Sequence, residues 1–164
     1  MIQIRAAEIK DLPSIQEILN DQILYSCNVY DETPRTDTQM REWFEHQLEL
    51  NNPILVATDN SKVIGYASYS QFRKWEGFRF CMEHSIYLSK EARARGVGKL
   101  LLMDLLNIAK ERNVHSIIAG IDGQNKKGIA FHLSMGFDQV GEIKQSGYKF
   151  NQWLDLVLMQ LILK

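Results

Sequence analysis

Arg93-Ala94-Arg95-Gly96-Val97-Gly98-Lys99 is the stretch on which the reading of this chain turns. It follows an extended apolar pattern over residues 80–88 and feeds a strongly apolar helical pattern that runs to about Arg112. Glycines at 96 and 98 allow backbone to approach a ligand closely. The first turn of a helix carries unpaired N–H groups and a partial positive charge. Together these features make a cradle for a pyrophosphate, and Lys90, Arg93, Arg95 and Lys99 add charge-assisted contacts. A bare RxxGxG is equally compatible with a basic surface turn; the strand–loop–helix setting favours the cradle. No GxxxxGK[ST] or GxGxxG is present, which argues against a P-loop nucleotide site and a Rossmann dinucleotide site.

Outward from this loop, hydrophobic spacing divides the chain into elements. Upstream, Ile2–Arg5 reads as a strand, and Asp11 is placed to cap a helix through Ile15, Ile18, Leu19 and Ile23. A polar-aromatic loop covers Ser26–Pro34. Thr36 or Asp37 starts a second helix carrying Met40, Trp43, Phe44 and Leu48, closed by Pro53. Ile54–Thr58 and Val63–Ser70 read as a hairpin around Asp59–Lys62, and Phe80–Leu88 as a third long strand. Downstream, Ser116–Ile121 is a buried strand, Asn125–Met135 a short helix ended by Gly136, and Asp138–Ile143 and Trp153–Leu163 the last strands. This order predicts an α+β fold, a central sheet covered by helices.

The 164 residues suit one domain, residues 1–164, with no repeat or linker to divide it. The apolar share of 45% and charged share of 24% are those of a globular protein, and a net charge of -1 gives no reason to expect nucleic acid or an anionic membrane as partner. Cys27 and Cys81 stand outside CxxC and CxxH patterns, so no metal site is expected. No signal-peptide pattern or membrane span is legible, and a reduced, cytoplasmic protein is the expectation.

Arg93-x-x-Gly96-x-Gly98 resembles the acyl-CoA motif of GNAT acetyltransferases. Asn125, His132 and Gly136-Phe137 resemble that superfamily's next element, and Ile4-Arg5-x-Ala7-x-x-x-Asp11-Leu12 its opening. More narrowly, Arg73-x-x-Glu76-Gly77-Phe78-Arg79, Glu83-His84-Ser85-Ile86-Tyr87-Leu88 and Gly147-Tyr148-Lys149-Phe150-x-x-Trp153-x-Asp155-Leu156 are similar to the phosphinothricin/methionine sulfoximine acetyltransferase branch. Gly128, where Ala or Ser is usual, and Asn151, where Gly is usual, depart from it. The resemblance implies a GNAT fold with a mixed, mostly antiparallel sheet of about seven strands flanked by about four helices. It also implies acetyl-CoA as co-substrate, a small primary amine as acceptor, and a homodimer.

The resemblance further implies residue roles. Backbone of Ile86, Tyr87 and Leu88 would pair with pantetheine, and the loop Arg93, Ala94, Arg95, Gly96, Val97, Gly98 and Lys99 would hold pyrophosphate. Glu83 would be the general base, because an ammonium must lose a proton before its nitrogen attacks a thioester; a salt-bridged strand residue is the alternative. His84 points to the other face and reads as structural. Asn125 either caps its helix, bonds pantetheine, or does both. His132 is either a proton donor to the leaving thiolate or a packed core histidine. Arg73 would clamp an anionic group of the substrate. Tyr30, Trp75 and Phe78 would be walls, with plain packing as the competing reading. Lys149, Phe150 and Trp153 would build the site or a dimer interface. No Cys or Ser stands in a nucleophile–base arrangement, so direct transfer is expected. The competing functions are a peptide N-terminal acetyltransferase and a non-catalytic acetyl-CoA sensor.

Overall fold

The computed structural model describes residues 1–164. Strand β1 (Ile2–Ala6) leads through a 3-10 turn (Ile9–Asp11) into α1 (Leu12–Tyr25), and α2 (Asp37–Glu49) follows. Then come β2 (Ile54–Asp59), β3 (Lys62–Gln71), β4 (Cys81–Leu88), α3 (Val97–Glu111), β5 (Ser116–Asp122), α4 (Lys126–Ser134), β6 (Asp138–Lys149) and β7 (Gln152–Ile162). The seven strands form one sheet in the order β1-β2-β3-β4-β5-β7-β6. Only the β4–β5 pair is parallel, as its connection through α3 requires. The expected α+β architecture is therefore observed, and no helix is long and apolar enough to cross a membrane.

Both faces of the sheet are packed. Apolar residues of α3 (Val97, Leu101, Leu102, Leu105) meet Ala67, Ile117, Ala119, Val157 and Met159 on one face. Ile15, Ile18, Met40 and Phe44 of α1 and α2 cover Ile54, Val56, Val63 and Tyr66 on the other. The second cluster is the smaller. It reaches only the β1–β4 half, which leaves the α1–α2 loop to close over the centre of the sheet.

Two local expectations are corrected. Asp11 does not cap α1: its carboxylate accepts the Arg5 guanidinium at 2.7 and 2.9 Å and the Glu8 N–H at 2.8 Å. The Arg5 hydrogen bond holds that carboxyl below its usual range despite the opposing effect of burial. The cap expected at Thr36 does form, with Gln39 completing a capping box. Strand β6 does not stop at Ile143 but continues to Lys149 past a bulge, where Gln145 has φ 52° and its N–H reaches Asp155 Oδ1 at 2.8 Å. The β6–β7 hairpin turns at Phe150 and Asn151, both with positive φ (51° and 57°), the geometry of a two-residue type I′ turn. Asparagine tolerates that conformation, which accounts for Asn151 standing in place of Gly.

Candidate active site

The sheet opens at its centre. Strand β4 pairs with β3 from Met82 to Leu88 but with β5 only through Cys81–Ser116, Met82–Ile117 and Glu83–Ile118. Strand β5 meanwhile stays paired with β7 as far as Asp122. Beyond Glu83 the two central strands diverge, and the β5-facing peptide groups of Ser85–Leu88 have no ladder partner. Unpaired strand edges demand hydrogen bonds, and an extended, amide-bearing molecule supplies them. Ile86, Tyr87 and Leu88 lie on this edge.

The cleft points toward the start of α3. Gly96 caps that helix in the left-handed region (φ 78°), and a side chain there would be strained whatever the space around it. The first backward bond of the helix is Leu100 N–H to the Gly96 carbonyl at 3.2 Å, so the N–H groups of Val97, Gly98 and Lys99 remain available. Gly98 is different: an added Cβ would sit in ordinary contact with Phe131 of α4, at 3.6 Å. Arg93 and Lys99 are exposed and make no ion pair, whereas Arg95 holds Asp59 at 2.7 Å and Lys90 holds Asp21 at 3.3 Å. Ala94 is exposed, also with positive φ (59°), and Val97 is buried under the sheet.

Glu83 faces the side of the sheet covered by the α1–α2 loop. Its Oε1 lies 3.2 Å from where a Cβ on Gly120 would be. Burial raises its carboxyl above the usual range, and the Arg73 charge opposes that shift. Arg73 sits on the β3–β4 connection with its guanidinium 4.4 Å over the Phe72 ring. Gln71 braces that connection by donating to the Arg73 and Trp75 carbonyls at 2.6 and 2.9 Å. Phe78 packs edge-on against Phe72, at 5.9 Å, while Trp75 is 63% exposed and joins no core.

Tyr30 closes the opposite side. Its hydroxyl lies 3.1 Å from Asp122 Oδ1 and 3.0 Å from the Asp155 carbonyl. Burial and then Asp122 push the phenol well above its ordinary pKa. Gly147 makes room for the ring, because a Cβ there would come within 2.6 Å of it. Asn125 caps α4, its Oδ1 accepting the Gly128 N–H at 2.9 Å, and its Nδ2 donates to Asn28 Oδ1 at 3.1 Å. A Cβ at Gly128 would lie 2.6 Å from Asn125 Nδ2, so glycine at that position permits this fold of the asparagine.

His84 and His132 meet on the other face of the sheet. His132 Nδ1 is 2.7 Å from the Gly128 carbonyl, and its Nε2 is 3.0 Å from His84 Nε2. Burial lowers both imidazoles, His84 to about 3.

The family profile described as the acetyltransferase (GNAT) domain matches residues 4–158. The chain belongs to the GNAT acetyltransferase family. It is 40% identical to the L-methionine sulfoximine/L-methionine sulfone acetyltransferase of Pseudomonas aeruginosa, over 96% of this chain and 92% of that protein. It superposes on a Sinorhizobium meliloti phosphinothricin acetyltransferase solved with acetyl-CoA (TM-score 0.96, 39% identity, 99% of this chain and 88% of that one). A ribosomal-protein-alanine N-acetyltransferase structure from Brucella melitensis is also similar (TM-score 0.97, 43% identity, 98% and 99% covered).

In this GNAT chain, Lys149 from the hairpin motif shapes the site, together with Asp122 and Gly120, which carry no motif. Lys149 is 0% exposed, and its ammonium donates to the carbonyls of Ser26 and Val29 at 2.8 and 2.6 Å. It ties the loop bearing Tyr30 to the β6–β7 hairpin, and burial lowers its pKa. Asp122, at 6% exposure, is a buried carboxylate without an ion-pair partner. Gly120 is exposed between buried Ala119 and Ile121. The alternation of β5 signals the last two, since a lone exposed glycine and a buried acid interrupt an otherwise apolar strand. No group of three or more His, Cys, Asp or Glu side chains is placed to hold a metal ion.

Proposed function

We propose that this chain moves the acetyl group of acetyl-CoA directly to the primary amine of a small amino-acid analogue such as methionine sulfoximine, methionine sulfone or phosphinothricin. One observation carries the reading: the β4–β5 divergence has a half-buried carboxylate, Glu83, where the strands part and a helix N-terminus at its far end.

The residues present fit acetyl-CoA, which supplies the activated acetyl group. The open edge of Ser85–Leu88 accommodates pantetheine amides, and the free N–H groups of Val97–Lys99 with Arg93 and Lys99 suit a pyrophosphate. A backbone N–H on the β4 edge polarises the thioester carbonyl, a contribution of about 2.7–4 kcal/mol per donor in comparable sites. Glu83, raised by burial, takes the proton from the ammonium, directly or through water. Arg73, close enough to act on Glu83, binds the anionic end of the substrate. Tyr30, held by Asp122, forms the wall opposite. Trp75 and Phe78, both exposed on the β3–β4 connection, are the candidates for an outer wall.

His132 reads as packed rather than acidic. A carbonyl only accepts, so Nδ1 carries the proton, and Nε2 is occupied by His84. The thiolate then departs without a donor from α4.

The continuous sheet supports one domain over residues 1–164. Exposed Val140, Ile143, Tyr148, Phe150 and Trp153 on the β6–β7 hairpin support a homodimer through that hairpin.

The test is free-thiol release from acetyl-CoA with a panel of amines: methionine sulfoximine, methionine sulfone, phosphinothricin, spermidine and short peptides. Preference for the first three is expected. Preference for peptides beginning with alanine, the activity named for the Brucella relative, would replace the amino-acid reading with the peptide one.

A further inference from the structure

The reading above names a base and an anion clamp but says nothing of where the amine-bearing carbon lies. Strand β5 does. Its face toward the α1–α2 loop presents Ile118, Gly120 and Asp122 in turn, because alternate residues share a face. Gly120 sits between two carboxylates. A Cβ on it would be 3.2 Å from Glu83 Oε1 and 3.4 Å from Leu156 Cδ1, tight enough at the first that the carboxylate would have to give by a few tenths of an ångström. Two residues further, about 6.6 Å along the strand, stands Asp122.

Asp122 is short of partners. Its Oδ1 shares the single Tyr30 hydroxyl proton with the Asp155 carbonyl, and its Oδ2 receives only a 3.3 Å bond from the Gln124 N–H. No Lys, Arg or His lies within ion-pair distance of it. A buried carboxylate without a cation is costly, and the missing charge is supplied when an ammonium-bearing molecule enters. The bare backbone of Gly120 is the one place on this face where that molecule can lie against the sheet between both acids.

We infer that Gly120 is the floor of the amine slot: its missing side chain lets the substrate's ammonium-bearing carbon rest on β5, between the base Glu83 and the anchoring carboxylate Asp122. The slot selects a narrow amine, one whose carbon beside the nitrogen carries at most one further branch, since a broader group would meet Glu83 on one side and Leu156 on the other. This rests on the amine-acetylation reading.

The experiment uses the full chain as wild type, Gly120→Ala, Glu83→Asp and the double variant, with methionine sulfoximine as amine. Gly120→Ala should raise the amine KM by roughly 10–200-fold, the effect of one methylene in a selective pocket. Acetyl-CoA affinity by calorimetry should stay within about twofold, because the slot lies on the face opposite α3 and α4. Shortening Glu83 by one methylene should return part of the lost affinity, so the two substitutions will not multiply. If Gly120→Ala fails to fold, Asp122→Asn carries the test: it keeps an acceptor for Tyr30, removes the charge, and should raise the same KM by about tenfold or more. An unchanged amine KM in the folded glycine variant, or strictly multiplicative losses, overturns the slot alone. Absence of amine turnover in the wild type overturns the function on which it rests, and the slot with it.

Discussion

Nε2 of His132 lies 3.0 Å from Nε2 of His84, and the two rings stack at 5.1 Å with Phe137 against both. The Gly128 carbonyl fixes the order of protons: His132 donates to Gly128, His84 donates to His132, and His84 Nδ1 is left buried without a partner. The pair therefore joins β4 to α4 in its neutral form. Both folded pKa values lie below the ordinary imidazole value, so the unfolded chain binds more protons under acid conditions. The sign follows: this contribution to stability is present above about pH 6.5 and is lost as pH falls toward the folded values. Urea midpoints of wild type and His84→Gln between pH 7.5 and 4.5 check it, and the variant should show the flatter acid limb.

Lys149 should prove structural for the loop and indirect for catalysis. Lys149→Met preserves volume but strands the Ser26 and Val29 carbonyls. A loss on the order of 2 kcal/mol in unfolding free energy is expected. The amine KM should rise because the loop leading into Tyr30 loses its tie to the β6–β7 hairpin, while acetyl-CoA binding persists. Paired denaturation and calorimetry distinguish these effects.

The two loop glycines should respond differently. Gly96→Ala places a side chain in a left-handed conformation, with a penalty of about 1–2 kcal/mol. Gly98→Ala meets only ordinary contacts and should be tolerated by the fold. Gly98→Val adds branches beside Phe131 and the free N–H groups, so it should weaken acetyl-CoA binding far more than it lowers the melting temperature. Calorimetric affinity and thermal melts of the three variants check the ranking.

Arg73→Ala removes the guanidinium whose charge acts on Glu83. Loss of one charge-assisted bond of about 1.5–3 kcal/mol corresponds to roughly ten- to more than hundredfold in kcat/KM, mostly through KM. The loss should vanish for the matching amine that lacks an anionic group. Kinetics on the matched pair of substrates check it.

The strands and helices were legible because their periodicities are strong, as in α3, where Leu101, Leu102 and Leu105 mark one buried face. The sequence pattern ends β6 early because its residues are mostly exposed and Ser146-Gly147 mimics a turn. Asp11 looks like a cap in sequence, and only the fold brings Arg5 to it. In the site, the loop motif and Glu83 could be picked out from local spacing and family resemblance. Lys149 could be picked out by the same resemblance, but its reach to Ser26 could not, and Asp122 and Gly120 leave only a break in the β5 pattern, because their partners lie far away in sequence, as Glu83 does from Gly120.

Burial of Glu83 has a thermodynamic signature as well as a catalytic one. A carboxyl raised above its unfolded value favours the protonated form, so this site destabilises the fold as pH rises through the interval between the two values. Glu83→Gln should therefore melt higher than wild type at neutral pH, with the difference closing in acid. The direct measurement is kcat of the same Glu83→Gln protein at pH 7.5 with saturating acetyl-CoA and methionine sulfoximine, alongside its calorimetric acetyl-CoA affinity. A base role predicts a fall in kcat of about 10²–10⁴-fold with acetyl-CoA affinity retained; turnover equal to wild type would contradict it.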